Sequence, residues 1–460
     1  MRYTVTIREQ DYDQLYAHLF SNARTEKAAY LLCRPVNTAD ETLLLARKFI
    51  PVKSDDIVSS SSAHMKISSR SYTRAMKQAN DRKECLFFIH SHPDGHEQHS
   101  LQDDAEEEKL FRTMYVRIRT VGVHGSLVFT RSGITCARIW KENGTYAPIE
   151  RIRIIGRRFR YWFSDKFHTH IPDFFDRQVR AFGRDTQAIL SRLNVGIVGV
   201  GGTGSAVAEQ LIRLGVGSCV LADGGLFEPS NLNRVYGSRL IDADIPKVKI
   251  IERLAADVGL NTRVKVIPQP ISYCSVISQL RNCDVIFCCT DDEWGRSILT
   301  KFAIYYLVPV FDMGVKIDSQ NGTIRSIQGR VTTLLPGSAC LFCRDRITAR
   351  RVRAESLRAL DPEQAARLER EGYIPELEEP APAVVPFTSM IASSAVCEFL
   401  HRLTGFLGEE RESSEVIHLI DDTRTRTNNK ASKPDCFCSD ETHIGRGDVK
   451  PLLDLTWRPE

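Results

Sequence analysis

The sequence predicts an α/β protein of two domains, the second built on a doubly wound, largely parallel sheet. Three observations carry this expectation. The chain has 460 residues, more than one compact hydrophobic core accommodates. Strand-like and helical stretches alternate along most of its length. A glycine-rich turn, Gly199-Val-Gly201-Gly202-Thr203-Gly204, sits between an apolar strand and an amphipathic helix. Hydrophobic residues make up 42% and charged residues 26%, as in ordinary globular protein. The formal net charge of +4 is small for this length, so neither nucleic acid nor a membrane surface is the expected partner. The first residues lack the apolar core of a signal peptide, and no apolar run approaches the roughly 20 residues that cross a bilayer. The expected location is therefore the cytoplasm.

Residues 1–145 read as a first, small α/β domain. IREQDYDQLYAHLFSNA and SRSYTRAMKQANDR have helical spacing, AAYLLCRP and TLLLARKFIPV read as strands, and CLFFIHSH is an apolar strand ending in polar residues. DDAEEEKLFRTMYVRIR returns to helix. The next stretch, 146–172, combines Arg151, Arg153, Arg157, Arg158 and Arg160 with Tyr161, Trp162 and Phe163. It reads as a linker helix whose aromatics dock on a neighbouring domain. The second domain spans 173–440. There NVGIVGVGG, SCVLADGG, VKVIPQPI, CDVIFCCTDD and LVPVFDMGV read as strands, separated by helices such as SAVAEQLIRLG and KVKIIERLAADVG. Residues 441–460 form a tail.

Between a strand and a helix, glycines let the backbone approach a phosphate, and the helix N-terminus offers oriented N–H donors. Asp223 ends the next strand, where an acid can accept from ribose hydroxyls. To this point an NAD site fits equally well. The residues beyond Asp223 fit ATP better. Asn231 and Arg234 in FEPSNLNR, Lys247 in IPK, and Asp291 in CTDD place cations and an acid past the ribose acid. A reaction that splits a triphosphate must neutralise it, hold magnesium and stabilise the departing pyrophosphate.

At these residues the chain resembles the family of ubiquitin-activating enzymes and their bacterial relatives MoeB, ThiF and HesA. GVGGTGSAVAEQLIRLGVG, LADGGLFEPSNLNR, the Pro-Lys247 step and CTDD match the family pattern in order, and DRQVRAFG supplies its Arg177-Gln178 pair. The resemblance implies a Rossmann-like fold and ATP-dependent adenylation of the C-terminal carboxylate of a ubiquitin-like protein. It implies Asp223 on ribose, Asn231, Arg234 and Lys247 on phosphates, and Asp291 on magnesium. It further implies that Arg177 reaches the ATP of a partner protomer, hence a homodimer, and that a ubiquitin-conjugating-type enzyme can act downstream.

The chain has 13 cysteines. Cys219, Cys288 and Cys289 lie in apolar strand-like runs and read as small buried residues. Cys340-X-X-Cys343 and Cys436-X-Cys438 are close pairs, and four thiolates can close a structural zinc site. The one-residue spacing of the second pair departs from the two-residue spacing common in the family. Members that form a thioester carry a cysteine in the segment after the first pair. Here residues 344–396 hold none, and Cys397 reads as core from its helical spacing.

A second constellation lies earlier: His90-Ser-His92, then after seven residues Ser100-Leu-Gln-Asp103. Two histidines at i and i+2 of a strand end share a face and can share an ion, with Asp103 as third ligand. Ser-X-X-Asp is equally the pattern of a helix-capping box. Together these residues resemble the JAMM (JAB, MPN) metallopeptidases, which cleave ubiquitin-like proteins from conjugates. The resemblance implies a catalytic zinc on His90, His92 and Asp103, Glu26 as general base and Ser100 at the oxyanion. His96 and His99, lying between, bear on metal choice. Three functions are expected in turn: modifier activation in a bacterial conjugation pathway, antiphage systems included; sulfur-carrier adenylation for cofactor synthesis; or activation with the JAMM domain as a binding scaffold.

Overall fold

The computed structural model describes residues 1–22, 24–62, 64–165, 170–375, 382–409 and 411–459. The chain divides into two units, Met1–Lys166 with Gly445–Asp448, and Phe167–Ile444 with Val449–Glu460. No described helix is long and apolar enough to cross a membrane.

The first unit contains β1 (Arg2–Arg8), α1 (Glu9–Leu19), β2 (Ala28–Asn37), β3 (Glu41–Pro51), β4 (Ile57–Ser60), β5 (Met65–Ile67), α2 (Ser69–Arg82), β6 (Cys85–Ser91), α3 (Leu101–Arg117), β7 (His124–Thr130), β8 (Gly133–Trp140), β9 (Tyr146–Pro148), β10 (Arg151–Ile155) and β11 (Arg160–Phe163). Among the described residues nine strands form one mixed sheet, ordered β11-β10-β1-β3-β2-β6-β7-β8-β9, and β4 pairs with β5. The start of β2 is apolar at every position because both faces of the sheet are covered. Ala29, Leu31 and Cys33 join a core with Tyr12, Leu15 and Leu19 of α1. Ala28, Tyr30 and Leu32 face the other way, onto Ala75, Met76 and Ala79 of α2 and Phe111 and Met114 of α3. β6 alternates likewise, with Phe87 and Ile89 in the first core and Leu86 and Phe88 in the second. Strand parity then puts His90 on the α2/α3 face.

The basic run is not a linker helix. Its residues form β9, β10 and β11, so the first unit extends past 145; residues 166–169 lie outside the described set. In Arg151-Ile-Arg-Ile-Ile, Ile152 and Ile154 alternate into the α1 core, a period of two that the charge obscured. The arginines have local partners. Arg153 Nε donates to Thr6 Oγ1 at 2.9 Å, Arg151 Nη2 lies 3.4 Å from Glu41 Oε1, and Arg160 pairs with Asp13 at 3.1 Å.

The second unit contains α4 (Asp176–Leu190), β12 (Asn194–Val198), α5 (Gly202–Arg213), β13 (Ser218–Ala222), α6 (Lys247–Val258), β14 (Arg263–Ile267), α7 (Cys274–Leu280), β15 (Val285–Cys288), α8 (Glu293–Tyr305), β16 (Val310–Gln320), β17 (Thr323–Leu334), α9 (Ala349–Leu360), α10 (Pro362–Arg370), α11 (Val385–Thr404), β18 (Glu415–Leu419) and β19 (Arg424–Asn428). Its sheet runs β14-β13-β12-β15-β16-β17-β18-β19. The first five strands are parallel and the last three pair antiparallel, so the doubly wound half holds and an antiparallel extension is added. Cys219 and Cys288 are buried, as expected, whereas Cys289 is half-buried. Cys397 is not core but exposed. On α11 the inward positions are Ala392, Ala395, Val396 and Phe399, and the 100° step per residue turns Cys397 to the outer stripe with Met390 and Ser393.

Buried Glu415 joins the antiparallel strands to the segment after Cys343. Arg346 grips both its oxygens at 2.9 Å, Asn428 Nδ2 donates at 3.0 Å, and buried Arg344 lies 3.8 Å away. Burial alone would raise its pKa, but Arg346 and Asn428 outweigh it and hold the carboxyl at about 2. Its stabilisation is therefore complete above the unfolded glutamate value of about 4.3 and is lost as pH falls toward 2. Glu415→Ala is expected to cost the second unit about 3–5 kcal/mol at pH 7, because it strands buried Arg344. Urea unfolding at pH 7 and pH 3 checks both, the mutant deficit shrinking at the lower pH.

Candidate active site and metal centres

The glycine turn leaves β12 and enters α5 through conformations that exclude side chains. Gly199 has φ +86°, and a Cβ on Gly204 would sit 1.9 Å from the Gly199 carbonyl oxygen. Asp223, at the end of β13, accepts from Val200 N at 2.5 Å and Gly225 N at 2.6 Å, which fixes its carboxylate beside the turn. Gly225 makes room there: a Cβ would meet Asp223 Oδ1 at 3.0 Å and Lys247 Nζ at 3.1 Å. Lys247 opens α6. The Arg234 stem lies over Gly202, and its Nη1 donates to Ser230 O at 2.6 Å.

Gly199, Gly201, Gly202, Asp223, Arg234, Lys247 and Asp291 thus line one cavity of about 580 Å³. Asp291 is exposed and makes no hydrogen bond or ion pair among the described residues. Its neighbour Asp292 is committed to capping α8, accepting from Gly295 N and Thr290 Oγ1. Three expected residues are not part of the wall. Gly204 packs behind the turn. Asn231 is buried in its own turn, accepting from Glu228 N at 3.3 Å. Arg177 is exposed on α4.

Sequence reading missed Arg296. It lines the same cavity, donating to Thr290 O at 3.1 Å and Met313 O at 3.0 Å, and lies 3.6 Å from Asp312 Oδ1. Burial would lower its pKa, but Asp312 outweighs that and the charge is kept. Its only signal was its place four residues past Asp292, on the next helix turn. Arg351, Glu355 and Arg358 of α9 complete one wall. Half-buried Cys289 also faces this cavity.

In the first unit, β2 runs antiparallel to β6 with Ala28 opposite His90. Glu26, two residues earlier, therefore shares the face of His90 and His92. Helix α3 then brings Asp103 over that face. His90 Nε2 and His92 Nε2 lie 3.0 Å apart, at 3.4 and 3.5 Å from the Asp103 oxygens. His92 Nδ1 is 2.8 Å from the His96 carbonyl, which accepts only from N–H, so in the neutral ring His92 Nε2 carries the lone pair. Two imidazole nitrogens and a carboxylate converging at this spacing fit a tetrahedral metal ion with ligands near 2.0–2.1 Å. Burial pushes the Glu26 carboxyl up against the pull of His90 and His92.

Ser100 is the N-cap of α3. Its Oγ donates to Asp103 Oδ2 at 2.8 Å and accepts from Asp103 N at 3.1 Å. The capping box and the ligand set are therefore one structure, in which the cap orients Asp103. His96 and His99 are outside the three-ligand cluster. Burial pushes His99 down to about 2, and its Nε2 lies 3.1 Å from Ser126 Oγ.

Cys340 and Cys436 sulfurs lie 3.5 Å apart, as do those of Cys343 and Cys438, and all four fall within 4.8 Å of one another. Four ligands at about 2.3 Å in a tetrahedron are separated by about 3.8 Å, so this cluster fits zinc. The one-residue spacing suffices because Cys436 caps the short turn Phe437–Ser439, which brings Cys438 round to the same point. A Cys340→Ser, Cys343→Ser double mutant is expected to lose one zinc per chain and several kcal/mol of stability in the second unit. Metal analysis with thermal unfolding checks this.

Residues 175–439, more than half of the chain, match the model of the ThiF family. The chain belongs to the ThiF family. Its first unit contains a match, over residues 8–132, to the model of prokaryotic homologues of the JAB domain. Among curated relatives, the sulfur carrier protein ThiS adenylyltransferase of Bacillus subtilis is 29% identical over 164 residues, 35% of this chain and 46% of the relative. The SAMP-activating enzyme E1 of Haloferax volcanii is 30% identical over 164 residues, 35% of this chain and 56% of the relative. The chain thus spans about half the length of the curated relatives it matches. A solved structure of E. coli MccB with MccA-N7isoASN aligns with TM-score 0.47 at 15% identity, covering 59% of this chain and 76% of that one.

Proposed function

We propose that the second unit adenylates the C-terminal carboxylate of a ubiquitin-like protein with ATP, within a bacterial conjugation pathway such as an antiphage system. The observation that carries this is the single cavity in which Asp223, Arg234, Lys247 and Asp291 face the glycine turn. A carboxylate oxygen of the tail attacks the α-phosphorus, the bond to the bridging oxygen breaks, and pyrophosphate leaves. Asp223 holds the ribose, the α5 N-terminus and Arg234 and Lys247 hold the phosphates, and Asp291 would hold magnesium. Arg177, exposed outside its own cavity, serves the cavity of a second copy, which makes the enzyme a homodimer. A conjugating-type enzyme receives the activated tail.

The first unit cleaves the modifier's precursors or conjugates. His90, His92 and Asp103 would hold zinc, which would supply Lewis-acid polarisation of the scissile carbonyl. Glu26 takes the proton of the attacking water and passes it to the leaving amine. The test is ATP–pyrophosphate exchange with a panel of ubiquitin-like and sulfur-carrier proteins, each as free acid and as C-terminal amide. Exchange only with a free acid is expected, and exchange without any carboxylate partner contradicts the reading. A second reading, sulfur-carrier adenylation, is favoured by the absence of cysteine from residues 344–396. Exchange with the sulfur carriers alone selects it.

A further inference from the structure

We propose that the cavity beside His90 and Asp103 is a side-chain subsite that takes one large apolar residue flanking the bond to be cut. This rests on the zinc-peptidase reading above. The cavity measures about 150 Å³ and shares Glu26, His90 and Asp103 with the candidate metal centre. Its apolar walls are Tyr30, Met65, Ile67, Tyr72, Phe88 and Leu110, from β2, β5, α2, β6 and α3. The lining runs directly onto the ligand: the Phe88 ring stacks on His90 at 5.5 Å, and Tyr30 lies 6.0 Å from Phe88.

The cavity is a cleft open to solvent, with the polar ligand and α3 side chains on one part of its lining and six apolar side chains on the rest. An apolar cavity of about 150 Å³ holds a benzene ring in another protein. The exposed lining residues Gln102 and Glu106 mark the solvent side. A phenylalanine, leucine or methionine side chain fills the space. Glycine leaves it empty, and an acidic side chain meets exposed Glu106 in the same wall. The substrate class is therefore a peptide or isopeptide with a large apolar residue beside the scissile bond.

The test uses the zinc-loaded full chain and a fluorogenic peptide library varied at the two positions flanking the scissile bond. Phenylalanine, leucine or methionine at one of them is expected to raise kcat/KM over glycine by on the order of 10–100-fold. Leu110→Trp, which fills the cavity, is expected to erase that preference while keeping zinc and slow cleavage of the glycine substrate. Ile67→Phe does the same if the first variant does not fold. Independently of turnover, L-phenylalanine hydroxamate is expected to bind the wild type at least about tenfold tighter than glycine hydroxamate, and Leu110→Trp equally to both. Cleavage without side-chain preference, equal binding of the two hydroxamates by wild type, or a preference unchanged in both variants overturns the subsite alone. No cleavage of any library member by zinc-loaded protein overturns the peptidase reading, and the subsite with it.

Discussion

Asp291→Ala is expected to reduce modifier-dependent ATP–pyrophosphate exchange by about 10²–10³-fold or more, the cost of losing a group that organises charge at the departing pyrophosphate. The same substitution is expected to leave the thermal transition unmoved, because Asp291 is exposed and makes no hydrogen bond or ion pair among the described residues. Its neighbour provides the contrast. Asp292→Ala removes the N-cap of α8 and is expected to cost about 1 kcal/mol of stability. Adjacent carboxylates thus separate a chemical role from a structural one. Robust exchange by Asp291→Ala would contradict the assignment of the acid.

Glu26→Gln is expected to lower peptide cleavage by about 10²–10⁴-fold while zinc stays bound, since the amide keeps the shape but cannot take a proton. His92→Ala is expected to lose metal and activity together. Metal analysis beside the rate separates the two. Equal cleavage by wild type and Glu26→Gln would mean that another group is the base. Adenylation is expected to be untouched by either change, because every residue assigned to it lies at or beyond Arg177.

Much of the site was legible in the sequence because its chemistry is local. A glycine turn between strand and helix, an acid at the next strand end and His-X-His closing a strand each announce their place through spacing alone. The pleat supplied the rest: Glu26 joins His90 and His92 because β2 and β6 pair with Ala28 opposite His90. Charge hid what was not legible. Arg151 and Arg153 masked the alternation of Ile152 and Ile154, so an extension of the sheet read as a basic linker. Arg296 was not singled out, being one charge on a mostly apolar helix, yet it is held against Asp312 and the Thr290 carbonyl in the cavity wall. Cys397 shows the opposite error. Apolar neighbours at helical spacing suggested burial, but the inward face of α11 belongs to Ala392, Ala395, Val396 and Phe399. One residue's rotation decides such a case, and composition does not record it.

The proposed chemistry turns on one step, attack of a tail carboxylate on the α-phosphorus of ATP in the cavity of the second unit. Heavy-oxygen label placed in the C-terminal carboxylate of the modifier that supports exchange probes that step itself. After turnover with a thiol or amine acceptor, one labelled oxygen is expected in AMP and none in pyrophosphate, because the bond that forms joins carboxylate oxygen to the α-phosphorus. AMP free of label, or release of inorganic phosphate in place of pyrophosphate, would rule the step out.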